Sequence, residues 1–198
     1  MAKKRSSRKT TSKIQKILKS PLVKNFIGLT FLSLALVLLV FPLKLPTNKQ
    51  SEKNPISINS ALYSSRETSN NPVRILIPKS EIDLKVVNAK IVNGYWELSE
   101  NSASYGLGSG HPGEKGNTVI FAHARQGLFY NIKDVKVQDT IYVFTKDKWF
   151  KYKVNKITEV FPNQKEVIEP TKNEVLTLYT CTGFYDEKRL IIQAIPQS

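Results

Sequence analysis

The chain has 198 residues and a formal net charge of +14, which allows one ordinary domain of about 100 to 150 residues plus appendages. Nine of the basic residues, from Lys3 to Lys24, fall in the first 24 positions without a single acid, leaving +5 for the rest. The basicity therefore belongs to a tail, which argues against nucleic-acid binding by the folded part. A single cysteine, Cys181, excludes an intramolecular disulfide.

Residues 1–24 read as a basic cytoplasmic tail, and residues 25–43 (NFIGLTFLSLALVLLVFPL) hold 19 positions without a charge. That is long enough to cross a bilayer core, which takes about 20 apolar residues. A cleavable signal peptide is the rival, but its apolar part usually runs only about 7 to 15 residues before a small-residue cleavage site. Here the run continues into Pro42-Leu43-Lys44-Leu45-Pro46 with no such site, so an uncleaved transmembrane anchor is expected. The positive charge before the span places the N-terminus in the cytoplasm and everything from Lys44 onward outside the cell membrane. Anionic lipid of the inner leaflet is the simpler partner for the tail than nucleic acid. Residues 44–72, rich in Ser, Asn, Thr and Lys, hold little to bury and read as a flexible stalk.

From Pro72 onward short β-type runs alternate with turn signals, and residues 73–198 read as one mostly β domain. Candidate strands are 73–77 (VRILI), 84–89, 95–98, 118–122 (TVIFA), 140–144 (TIYVF), 149–158, 175–179 (VLTLY) and 190–195 (LIIQAI). Eight strands in so short a stretch predict a closed or nearly closed barrel. Residues 127–135 have room for one or two helical turns. The connection EVFPNQKEVIEPTKN after Thr158 is long for a compact domain and reads as a substrate-facing loop. Glu159, Glu166 and Glu169 in or beside it are expected to be solvated rather than to hold Ca2+, and no metal or cofactor is expected.

Cys181 directly follows the strand 175–179, and Arg189 opens the strand 190–195. A turn between them would make the strands antiparallel and bring the two residues together. A guanidinium beside a thiol favours the reactive thiolate and offers hydrogen bonds to an oxyanion. His123 closes the strand TVIFA, so a Cys-His nucleophile pair at one rim is possible. His111 sits in the Gly-rich turn GSGHPG as an exposed loop residue. Each of the three also has an ordinary reading: a small buried hydrophobe, a local hydrogen-bonder and a solvated charge.

The run 176–182, LTLYTCT, resembles the T-L-x-T-C signature of sortases, which Thr177, Leu178, Tyr179, Thr180 and Cys181 fill in order. Arg189 and His123, the latter at the end of VIFAH, match the sortase arginine and histidine. IPKSEIDLKVV (77–87) and IEPTKNEVLTLYTC (168–181) are similar to the barrel opening and to the approach to the catalytic strand. Ala122 stands where the family often has Gly, and Arg125 only approximates the Arg that often follows the histidine. The resemblance covers about residues 73–195, and the short chain looks closer to the small class D or E enzymes than to pilin-polymerising ones.

The resemblance implies an eight-stranded sortase-type barrel in which Cys181 forms a thioester with a Leu-Pro-x-Thr-Gly-like sorting signal. His123 would be the acid-base and Arg189 the oxyanion donor. Thr180, Thr182, Ala122 and Pro170 would meet the substrate peptide, and the acceptor would be an amine, such as that of a cell-wall precursor. A thiol peptidase that only hydrolyses, and a tethered binding module with a structural cysteine, remain as alternatives.

Overall fold

The computed structural model describes Ser33, residues 56–63 and residues 68–197. The basic tail and, except for Ser33, the expected membrane span at 25–43 lie outside the described residues. Among the described residues no helix is long and apolar enough to cross a membrane. The chain divides into two compact units, Met1–Lys49 and Gln50–Ser198, and the second carries every strand described here.

Ten strands form: β1 (Arg74–Ile77), β2 (Ile82–Ala89), β3 (Ile91–Val92), β4 (Tyr95–Trp96), β5 (Ala103–Gly106), β6 (Gly116–Phe121), β7 (Thr140–Phe144), β8 (Trp149–Val160), β9 (Glu174–Thr182) and β10 (Lys188–Pro196). Eight of them close a barrel in the order β1-β2-β5-β6-β9-β10-β8-β7, and β3 and β4 make a separate ribbon. The β2–β5 and β6–β9 pairs are parallel and the other barrel pairs antiparallel. A short 3-10 segment, Phe129–Asp134, occupies the place where helical turns are expected.

The expected barrel is present, but one expected strand is not part of it. Tyr95 and Trp96 pair only with the ribbon partner β3. The barrel place falls to β5, whose sequence ASYG lacks the β-branched run that marks a strand. Its pairing with β2 and β6 comes from the neighbours, a case of tertiary context overriding local propensity. Gly106 is needed there for space: a Cβ would lie 2.7 Å from the Trp96 ring. Trp96 is 1% exposed, and its Nε1 donates to Leu107 O at 3.2 Å.

The apolar residues separate into two layers because successive strand residues face opposite sides. Ile120, Leu176, Leu178, Ile192 and Ala194 face the barrel interior, with Ile75, Ile141 and Val154 from the other strands. Val119, Phe121, Tyr179 and Ile191 face outward into a second cluster with Trp96, Val160 and Ile168. Covering on both sides explains why β6 is buried at all of its positions, Asn117 and Thr118 included.

Ile56 and Ile58 belong to this outer cluster, although they lie in the 44–72 segment expected to be a stalk. Ile58 N donates to Gly94 O in the ribbon turn at 2.9 Å. Tyr63 stands edge-on to Trp96 at 5.0 Å between ring centroids, and its hydroxyl donates to Ile168 O at 3.0 Å. These few apolar side chains in a polar stretch suffice to dock it, so a solvated stalk does not include residues 56–63.

Candidate active site

Three neighbouring strands set the site. In the antiparallel pair of β9 and β10, Cys181 is the direct partner of Arg189, and Tyr179 of Ile191. In the parallel pair of β6 and β9, Phe121 is the partner of Tyr179. Ala122 N donates to Tyr179 O at 3.4 Å, carrying that ladder past the end of β6. Two residues on from Phe121, Tyr179 and toward the turn from Ile191 stand His123, Cys181 and Arg189. Cys181 and Arg189 thus face each other across β9 and β10, and His123 lies two residues past the last β6–β9 pair.

The same two-residue step fixes the direction of the pair. Tyr179 and Ile191 lie in the outer cluster, so Cys181 and Arg189, two positions along β9 and β10, face the same side. The thiol therefore stands on the outer wall of the barrel and not among Leu178 and its interior neighbours. Phe121 and Tyr179 stack directly beneath it, 4.8 Å between centroids and 9° between planes.

Burial pushes the Cys181 thiol up, while the neighbouring Arg189 guanidinium opposes that shift and Asp186 adds to it. The thiolate thus depends on its cation. Arg189 is fully buried, which is costly for a guanidinium unless its donors are used. Its Nη1 donates to Asp186 O at 2.7 Å and to Lys188 O at 2.8 Å. Those bonds tie it to the β9–β10 turn, where Gly183, Tyr185 and Asp186 all have positive φ. The turn also holds out Phe184 and Tyr185, 77% and 83% exposed.

His123 is 31% exposed at its side chain, and its Nε2 lies 3.4 Å from Glu100 Oε1. His111 is at the other end of β6, in the turn before Gly116, with Nδ1 3.3 Å from the Tyr105 hydroxyl. Thr180 and Ala122 are buried, and the Thr180 hydroxyl donates to Ala122 O at 2.7 Å. They lock β9 to β6 next to Cys181 and His123. Thr182 pairs with Lys188 at the strand end, and Pro170 is exposed on the 161–173 loop. Asn117, 1% exposed, holds that loop by donating to Val167 O at 3.2 Å and Glu169 O at 3.1 Å. Asn117 and Glu100 are not legible in the sequence, because their partners come from distant segments.

A family model described as Sortase domain matches residues 75–197, which spans the whole barrel. This chain belongs to the sortase family. Among curated sortases it is 30% identical to Sortase A of Streptococcus agalactiae serotype III (strain NEM316), over 73% of this chain and 61% of that protein. It is 28% identical to Sortase A of Bacillus anthracis, over 61% of this chain and 57% of that protein. The chain thus spans about three-fifths of the length of these curated sortases. A solved structure, a lid mutant of Sortase A from Corynebacterium diphtheriae, is 30% identical with a TM-score of 0.56, covering 70% of this sortase and 76% of that chain.

Proposed function

We propose that the protein is a sortase-type cysteine transpeptidase that cleaves a Leu-Pro-x-Thr-Gly-like sorting signal and joins the acyl part to an amine, anchoring surface proteins. The observation that carries this reading is the direct pairing of Cys181 with Arg189 across β9 and β10, with His123 two residues past the end of the neighbouring β6. A thiol, an imidazole and a guanidinium so placed can act on one carbonyl group.

In the first half, the Cys181 thiolate attacks the carbonyl carbon of the scissile peptide bond. Arg189 stabilises the oxyanion that forms. The carbon–nitrogen bond then breaks as the His123 imidazolium protonates the departing amine, leaving a thioester on Cys181. In the second half, neutral His123 takes a proton from the incoming amine, which attacks the thioester. The carbon–sulfur bond breaks, and thiolate and imidazolium are restored. Peptide contact falls to the open side of Cys181, with Thr182, Pro170 and the 161–173 loop. Thr180 and Ala122 hold β9 to β6 beside it. The residues 25–43 would anchor the enzyme by a single pass in the cell membrane, with the barrel outside.

Incubating the protein with a library of sorting-signal peptides, with and without an amine acceptor, tests the reading. Expected are a mass-spectrometric adduct on Cys181 and a ligated product that needs the acceptor. Cleavage without ligation at any acceptor concentration would replace the transpeptidase with a peptidase, and cleavage by Cys181→Ala would end the thioester mechanism.

A further inference from the structure

Three successive carbonyls of the 161–173 loop are held by two side chains from outside it. Asn117 on β6 donates to Val167 O at 3.2 Å and to Glu169 O at 3.1 Å, and Tyr63 donates to Ile168 O, between them, at 3.0 Å. The loop leaves the barrel at the site: Val160, the last residue of β8, pairs with Arg189, which pairs with Cys181. Exposed Pro170 follows Ile168 by two residues. The hold from Asn117 belongs to the barrel, whereas the hold from Tyr63 belongs to a segment that contributes no barrel strand.

That segment is anchored on its own account. Ile56 and Ile58 are buried in one cluster with Trp96, Val160 and Ile168, and Ile58 N donates to Gly94 O at 2.9 Å. Asn59 caps the 3-10 turn Ser60–Leu62 by accepting from Ala61 N at 3.3 Å, and the turn delivers Tyr63 to the edge of Trp96. Burial first, and the Glu169 carboxylate second, push the Tyr63 phenol up to about 12, so its hydroxyl keeps its proton and stays a donor at neutral pH.

We propose that residues 56–63 are a positioning strap for substrate binding: docked through Ile56 and Ile58, they use Tyr63 to fix the backbone of the 161–173 loop in the conformation that receives the sorting-signal peptide. This rests on the transpeptidase reading, in which that loop meets the peptide. With the strap undocked, Ile168 O loses its donor and the Ile168 side chain loses part of its cover. The loop then orders only as peptide binds, and that ordering weakens binding. Cys181 and Arg189 stay opposed on their own hairpin, so the loss falls on KM and not on the thiol.

The test is steady-state cleavage of a peptide found cleavable in the library, by the full chain in detergent, with iodoacetamide alkylation of Cys181 and the melting midpoint read alongside. The variants are Tyr63→Phe, Ile56→Ala/Ile58→Ala, Ile56→Val/Ile58→Val and Leu62→Ala. Expected for Tyr63→Phe is a KM about fivefold higher, the scale of one hydrogen bond, with kcat and alkylation close to wild type. The Ala pair raises KM at least as much, and the Val pair recovers most of the loss. Leu62, 48% exposed in the same segment, keeps the wild-type KM when cut to Ala. A merely structural segment would lower the melting midpoint of the Ala pair and leave KM per folded molecule at the wild-type value, and that result overturns the inference. An equal rise in KM for Leu62→Ala does so too. Neither result touches the transpeptidase reading, which falls if Cys181→Ala still cleaves peptide.

Discussion

The inner and outer faces of β6, β9 and β10 are built from alternate residues of the same three strands, yet they carry different work. The inner face is Ile120, Leu176, Leu178, Ile192 and Ala194, enclosed by all eight barrel strands. The outer face begins as Val119, Phe121, Tyr179 and Ile191 and ends, on β9 and β10, in the pair Cys181 and Arg189. Among the described residues, the ribbon, the 56–63 segment and the 161–173 loop pack against that outer layer. Cys181 is thus only partly covered although Thr180, one residue back, is buried.

The sharpest way to break the comparison is to cut each face once. Cys181→Ala is expected to abolish cleavage while the thermal midpoint stays near wild type. Leu178→Ala, one strand turn away and facing inward, is expected to lose about 2 to 5 kcal/mol of stability, as buried Leu truncations do. Its surviving folded fraction should cleave normally. Loss of activity per folded molecule in Leu178→Ala, measured by active-site titration, would show that the faces are not separable.

Next in size is Arg189→Lys, for which cleavage is expected to fall about a hundredfold, the scale of losing one oxyanion donor. A lysine keeps the charge but not the fork, which bonds two turn carbonyls and in the proposed reaction would also have to reach the oxyanion. His111→Ala is the matched control, since His111 lies at the far end of β6 and should keep most activity. Turnover of Arg189→Lys near wild type would remove the oxyanion role from Arg189.

Much of the site was legible because it is local. Cys181, the turn and Arg189 are joined by one hairpin, and strand–turn–strand reasoning is enough to oppose them. For His123 the sequence offered only its place at a strand end, because the strand it follows pairs with β9 across the intervening β7 and β8, a parallel pairing that ends at Phe121 and Tyr179. Strand 95–98 was misplaced for a related reason: its residues have β character, while ASYG has little, and the barrel position is decided by Gly106 leaving room for Trp96. Ile56 and Ile58 were hidden by polar neighbours, since composition averages out two well-spaced apolar side chains. Glu100 gave no signal at all, because a carboxylate in a polar turn looks solvated until its partners are seen.

Gly106→Ala tests that room directly. A methyl group must push on the fixed Trp96 ring, and such overpacking costs about 1 to 3 kcal/mol. The expected result is a lower melting midpoint with altered Trp fluorescence, and a variant as stable as wild type would show that the ribbon is free to shift.

The finest test uses two tyrosines of the outer layer and removes one oxygen from each. The Tyr63 hydroxyl donates to Ile168 O, so Tyr63→Phe leaves that carbonyl without its partner and is expected to cost about 1 kcal/mol. Hydrogen exchange should also quicken in the 161–173 loop, which keeps its two bonds from Asn117 and the burial of Ile168. The Tyr179 hydroxyl is buried without a hydrogen-bond partner, and burial pushes its titration far above the ordinary tyrosine range. Tyr179→Phe removes a polar group that was never satisfied and keeps the stack on Phe121, so stability should hold or rise by up to about 1 kcal/mol. The same chemical change thus has opposite expected signs, according to whether the oxygen ties the cover to the barrel or lies beneath it. Melting midpoints that move together would mean that the outer layer does not distinguish its cover from its floor.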